Sequence, residues 1–380
     1  MMGHVAESVP DAARAPAGLL DGLEEIRRLL LNERETHRAR YGELNQIWRE
    51  VLEALGYVLH LRPLDILRLR MHSGLFVGEA PWQFWHNADA YDARAYAAQI
   101  GYAGLVRDID PAYWVGESPN PFIPRPMGVT YHGVVINSNA LRMQSIVTNL
   151  VLTGLWSRVF DVARSDAAEP AIVVEIGSGY GGLARTMFNA SARPVHFVAI
   201  DLPEILLFCC GYVAAADPEI AIHFIRSPED FSKLPRDRNA LVLISSFSAD
   251  LVSHLPRIDL AINAASFQEM RAQDIRRYID LVYPKLTGVL YSDNIDRHLL
   301  NTDSPAPISH QLARVGAVFP RPGIYDEVVQ ANKWDWFYST FLLGPQTSLD
   351  ALNPHIRVFF GPMKQGAVMD LKGEQFSMVV

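Results

Sequence analysis

The sequence predicts an α/β fold: a mostly parallel sheet with helices on both faces, preceded by a helical N-terminal domain. Three observations predict it. In "LLDGLEEIRRLLLNERE" and "YGELNQIWREVLEALGYVL" apolar residues recur three and four apart with charges between them, the spacing of an amphipathic helix. Beyond residue 170, short runs rich in Val, Ile and Leu alternate with helical stretches, as buried parallel strands and their crossovers do. The first of those runs ends in a cluster of glycines.

Taken in order, residues 1–17, ending in "DAARAPA", lack periodicity and are expected to form a mobile tail. Helical periodicity runs from Leu19 to about Leu69, with a break at Pro63, where the backbone N–H is missing. Residues 80–135 are dense in rings (Trp82, Phe84, Trp85, Tyr91, Tyr102, Tyr113, Trp114, Tyr131), and their proline-rich "ESPNPFIPRPMG" must be irregular. These rings either fill a core or wall a pocket over the next domain. A long helix is predicted over 139–163, and the texture changes there, so the chain divides into 18–137, a helical cover that would also support a homodimer, and 138–380, the sheet domain. Strands are predicted at 171–176, 195–200, 221–225, 241–245, 259–263, 288–292 and 337–343. "AIHFI" (221–225) and "LVLIS" (241–245) compete, as the third strand, for the place beside the bound ligand. Trp334 and Trp336, before the last strand, are core residues or pocket walls.

Composition narrows the function. With 380 residues, 49% of them apolar, the chain can bury a full α/β core and carry a smaller second unit. A net charge of −8 argues against nucleic acid, which needs clustered Lys and Arg to displace counterions, and favours a small-molecule partner. Cys209 and Cys210 are the only cysteines, too few for a disulfide framework or a Cys-rich metal site. There is no apolar run long enough to span a membrane and no secretion signal at the start, so a cytoplasmic protein is expected. No metal is expected, because His132, His298 and Asp293 could meet only by tertiary accident.

The densest signal is "AIVVEIGSGYGGLARTMF": a buried strand carrying Glu175, then Gly177, Gly179, Gly181 and Gly182, then a helix. Glycines there let the chain turn sharply and let a ligand approach the backbone. About twenty residues on, the second strand ends in Asp201, the spacing at which a carboxylate accepts hydrogen bonds from a ribose diol. Gly177, Gly179 and Gly182 also satisfy G-x-G-x-x-G, so an NAD-binding dehydrogenase must be weighed. Glu175 opposes it, since a carboxylate beside the loop repels a pyrophosphate. The same acid suits a cofactor carrying an ammonium and a sulfonium.

"VEIGSGYGGLAR" followed by "IDLPEILLF" resembles the first two motifs of class I, Rossmann-like methyltransferases. "INSNALRMQSI", "DLAINAASFQEM" and "YSDNIDRH" are similar to segments of the bacterial sugar O-methyltransferase group. The likeness covers roughly 130–300. It implies S-adenosylmethionine as cofactor, with S-adenosylhomocysteine as product. Glu175, Gly177 and Gly179 would line its methionine and ribose, Asp201 would hold the ribose hydroxyls, and Leu202, Ser246 and Phe247 would border adenine. Arg142 in "NALR" could pair with the cofactor's carboxylate. The acceptor would be a sugar hydroxyl or an aromatic natural product, since the group includes relatives that methylate an indole carbon. A hydroxyl acceptor needs a base, for which Glu269, His298 and, from the aromatic region, His132 are the candidates. A non-catalytic cofactor-binding protein is the remaining alternative; it would tolerate loss of Glu269 and His298.

Overall fold

The computed structural model describes residues 15–16, 18–77, 99–123, 127–161, 169–294, 307–315, 317–322, 339–344, 367–369 and 375–377, with backbone alone from 317 onward. The expected tail lies almost wholly outside these residues, as do Trp82, Phe84, Trp85, Tyr91, His298, Trp334 and Trp336.

The chain opens with helices α1 (Leu19–Thr36) and α2 (Gln46–Leu55). Asn45 caps α2 by accepting a hydrogen bond from the Trp48 N–H, which satisfies a donor that the first turn would otherwise leave open. Pro63 starts a single helical turn, as its fixed φ allows. A hairpin follows, β1 (Val129–Tyr131) with β2 (Val134–Ile136), turned through His132 (φ 44°) and Gly133 (φ 86°). Helix α3 (Ser138–Leu152) is N-capped by Asn137 and ends before Gly154 (φ 74°), after which α4 (Leu155–Phe160) begins. The single helix expected over 139–163 is therefore two, because Gly154 takes up a left-handed conformation that redirects the chain.

The sheet contains β3 (Ala171–Ile176), β4 (Val195–Asp201), β5 (Ala221–Phe224), β6 (Ala240–Ser245), β7 (Ile258–Ala264), β8 (Leu286–Asn294), β9 (Ala317–Pro322) and β10 (Ser339–Gly344). Their order is β5-β6-β4-β3-β7-β8-β10-β9, parallel from β5 to β8 and antiparallel at β10 and β9. The competition between "AIHFI" and "LVLIS" is decided by burial. All six residues of β6 are buried and pair with β4, whereas β5, three of whose four residues are half-buried, sits at the edge. The order runs one way from β3 to β4 and the other way from β3 to β7. That reversal opens a crevice at the carboxyl ends of β3 and β7, where open α/β sheets bind ligands. The fold is thus Rossmann-like α/β.

Helices α5 (Gly182–Ala190), α6 (Pro203–Ala216), α7 (Ala272–Val282) and α8 (Ile308–Ala313) complete the two layers. Helix α6 is buried on every side from Pro203 to Ala215, because α1 lies across it. Leu23, Ile26 and Leu30 of α1 share one continuous core with Ile205, Leu206 and Phe208 of α6 and with the strands. The helical N-terminal part is packed into the sheet domain's own core.

Two polar contacts reinforce this joint. Arg34 Nε lies 2.9 Å from the fully buried Glu204 at the start of α6, and Tyr41 donates its hydroxyl to the same carboxylate (2.9 Å). Deeper in, Arg70 donates to both carboxylate oxygens of Glu117 (2.9 and 2.8 Å), with side chains only 1% and 4% exposed. Its guanidinium lies 3.9 Å from the ring centroid of Tyr180, inside the glycine-rich turn.

Candidate active site

The turn after β3 depends on left-handed glycines: Gly177 (φ 80°), Gly179 (φ 53°) and Gly181 (φ 86°). A Cβ on Gly177 would fall inside the side chain of Ser266, which belongs to the turn after β7 and donates to the Ile176 carbonyl (2.8 Å). Gly177→Ala is expected to cost about 2 kcal/mol of stability from the left-handed backbone and the clash together, and adding Ser266→Gly to recover the clash part; denaturant unfolding of the single and double variants measures both.

Two acids stand at the carboxyl ends of β3 and β4. Glu175 is 4% exposed, and its Oε2 is buried with no hydrogen-bond partner. Burial, and then the neighbouring Asp201, push its carboxyl well above the usual carboxylate range. Asp201 accepts from the Gly179 N–H (3.0 Å) and the Leu202 N–H (2.8 Å), which fixes its carboxylate against the turn. Burial outweighs those bonds and holds Asp201 at about 7.

At the end of β6, Ser245 accepts from the Phe247 N–H (3.3 Å). The Phe247 ring is covered by the N-terminal part: His37 stacks on it at 5.4 Å, Tyr41 tilts against it at 5.1 Å, and Arg40 lies 5.1 Å above it while donating to its carbonyl (2.8 Å).

The turn after β7 is the most constrained backbone here. Ala265 has φ 58°, and its N–H bonds to the Asp293 carbonyl (2.8 Å). Asn263 donates to the Ile176 carbonyl (2.8 Å) and accepts from Asn294 (2.8 Å), whose own oxygen accepts from the Gln268 N–H (3.3 Å). This network presents Glu269 to the crevice. Glu269 is half-buried, and its Oε2 accepts from the indole N–H of Trp48 (3.1 Å), while its carbonyl accepts from the Asn45 side chain. Desolvation raises its carboxyl to about 7, against the opposing pull of Arg142 and Trp48.

One cavity of about 220 Å³ joins these parts. Glu175, Gly177, Gly179, Asp201, Leu202, Ser246, Phe247, Arg142 and Glu269 all line it, so nine of the residues singled out in the sequence meet there. His132 does not. It is exposed at the tip of the β1–β2 hairpin, its ring 4.6 Å from Tyr131 and 6.3 Å from Trp114, away from the cavity wall, and it is withdrawn as a base. His298 lies outside the described residues. Sequence reasoning missed Arg40, Asn45, Trp48, Asn139 and Met143, which also line the cavity. Asn45, a capping residue type before a helix, was the one visible signal among them. Among the described residues no helix is long and apolar enough to cross a membrane.

No family model matches the chain, and no curated protein matches it. Solved structures similar to it include an O-methyltransferase family protein from Burkholderia thailandensis (10% identity, 54% of this chain and 59% of that one, TM-score 0.31). Magnesium protoporphyrin IX methyltransferase from Synechocystis PCC 6803, with SAH bound, is another (11%, 67% and 97%, 0.29). A third is a cyclopropane synthase from Mycobacterium tuberculosis (12%, 65% and 96%, 0.31). The alignment spans only 59% of the length of the Burkholderia protein.

Proposed function

We propose that the chain is an S-adenosylmethionine-dependent methyltransferase acting on a small molecule. The observation that carries this reading is Glu175 Oε2, a buried carboxylate oxygen without a partner beside the glycine turn that lines the cavity. A cofactor bearing an ammonium supplies the missing donor. A dinucleotide would bring its pyrophosphate beside Glu175, which disfavours a dehydrogenase.

When bound, S-adenosylmethionine supplies an activated methyl group. Glu175 and the backbone at Gly177 and Gly179 hold its amino-acid part, Asp201 accepts from the ribose, Leu202, Ser246 and Phe247 border the base, and Arg142 meets its carboxylate. Glu269 takes the proton that an acceptor hydroxyl or ring nitrogen loses; a carboxyl near 7 is matched to that task at neutral pH. The cavity is also lined by Trp48, Leu44, Met143 and Met270, and by the polar Glu43, Asn139, Arg142 and Arg271. A ring face beside so many polar partners suits either acceptor class, an aromatic ring such as a phenol or indole or a sugar hydroxyl.

Calorimetry with S-adenosylhomocysteine and with NADH tests the reading: binding of the first and not of the second supports it, and the reverse sinks it. Affinity is also expected to depend on pH. Glu175 and Asp201 hold protons unusually tightly in the unliganded protein, and the cofactor favours their ionised forms, so binding releases protons. Affinity therefore rises with pH, by about tenfold between pH 6 and 8, and the measured heat varies with the buffer's ionisation enthalpy.

A further inference from the structure

We propose that Trp48 is a positioning residue for Glu269: its indole N–H holds the carboxylate oxygen Oε2, so the acid–base group is completed by a helix more than two hundred residues upstream in sequence. The assignment of Glu269 as base rests on the methyltransferase reading; the contact itself does not.

One turn of backbone grips Glu269 at two points. Asn45 uses its side-chain oxygen to cap α2 through the Trp48 N–H (2.9 Å) and its side-chain nitrogen to hold the Glu269 carbonyl. Trp48, fixed by that cap, then reaches the Glu269 side chain at 3.1 Å. From the sheet side, the Asn263–Asn294 network and the Ile176 carbonyl brace the turn after β7 that carries Glu269. The carboxylate is thus set between two elements that meet only in the closed fold. An indole is a donor only, so it can hold Oε2 without ever offering itself as an acceptor, and it favours the ionised carboxylate that can take a proton. The charged groups facing the same space are Arg142 from α3, Asp201 from β4, Glu175 from β3, Arg40 and Glu43 from the segment before α2, and Arg271, Asp274 and Arg277 from the cap and first half of α7. Of these, Arg142 assists Trp48 and Asp201 opposes it.

The test uses the full chain labelled with 5-fluorotryptophan and read by 19F NMR across pH 5–9. Trp48→Phe, and independently Trp48→Tyr, identify the Trp48 resonance by its loss. The expected result is that this resonance titrates with a midpoint close to that of Glu269, at about 7, and becomes pH-independent in Glu269→Gln while the other tryptophan resonances keep their positions. A Trp48 resonance that ignores pH, or that titrates identically in Glu269→Gln, overturns the proposal. S-adenosylhomocysteine affinity of the wild-type protein is measured on the same sample. Failure of the wild-type protein to bind S-adenosylhomocysteine would sink the methyltransferase reading and leave the titration result standing; a flat titration in a protein that does bind it would sink only the role of Trp48.

Discussion

Replacing Glu175 by Gln is expected to weaken S-adenosylhomocysteine binding about 100-fold while making the unliganded protein more stable. The two effects have one cause. In the unliganded fold Glu175 is desolvated, faces Asp201 and has an oxygen with no donor, so ionising it works against folding. Its folded-state pKa lies above its unfolded one. The folded chain therefore binds more protons, and this group's contribution to stability falls as pH rises from the ordinary carboxylate range upward. Asp201, held at about 7, adds to the fall between about pH 4 and 7. Gln removes the first of these costs. In the complex the balance reverses, because a charge-assisted hydrogen bond to the cofactor's ammonium contributes about 1.5–3 kcal/mol, the size of a 100-fold change. Thermal melts of both proteins at pH 5 and 8, with and without S-adenosylhomocysteine, check the pair: the variant should melt higher alone, with a flatter pH dependence, and shift less with ligand. A variant that melts lower alone and binds normally would show that Glu175 is a structural acid.

Arg70→Met is expected to destabilise the protein by about 3–5 kcal/mol, because it leaves Glu117 buried without its cation. Glu117 keeps one donor, the Asn137 amide at 2.8 Å, too little to offset a lost guanidinium. Adding Glu117→Gln should restore most of the loss, which a double-mutant cycle in urea would read as a strongly favourable coupling. A second consequence separates this pair from an ordinary buried ion pair. The same guanidinium packs on Tyr180 between Gly179 and Gly181, so the variant should also bind S-adenosylhomocysteine more weakly, and the double variant should recover stability without recovering affinity.

How much of this was legible in the sequence depended on the range of the interaction. The strands were readable because a strand buried on both faces must be a continuous apolar run, as in "AIVVEI" and "LVLIS". Glu175 and Asp201 were legible as acids because each closes a continuous apolar run at the carboxyl end of its strand. The order of β5 and β6 was not, since both runs suit a parallel strand and only burial against neighbours separates them. Gly154 was read as part of a helix because one glycine leaves the apolar periodicity intact on either side. His132 was misread for its aromatic neighbours, when the His-Gly pair between two short β-branched runs was the mark of a tight hairpin turn. Trp48 sits on an amphipathic helix whose pattern says only that one face is covered. That its N–H meets a carboxylate 221 residues away is a property of the closed fold.

The same long reach bears on how the protein is made. Helix α1 presents Leu23, Ile26 and Leu30 to a partner, α6, that begins only at Pro203, and Glu33 waits 215 residues for Ser248. At about 5–20 residues per second of synthesis, that interval is on the order of 10–40 s. For that time the nascent chain can cover this apolar stripe only in part, with its near neighbours at 58–66, so α1 is among the last helices to complete its packing, and a chaperone acting on this chain has its natural client in residues 19–30.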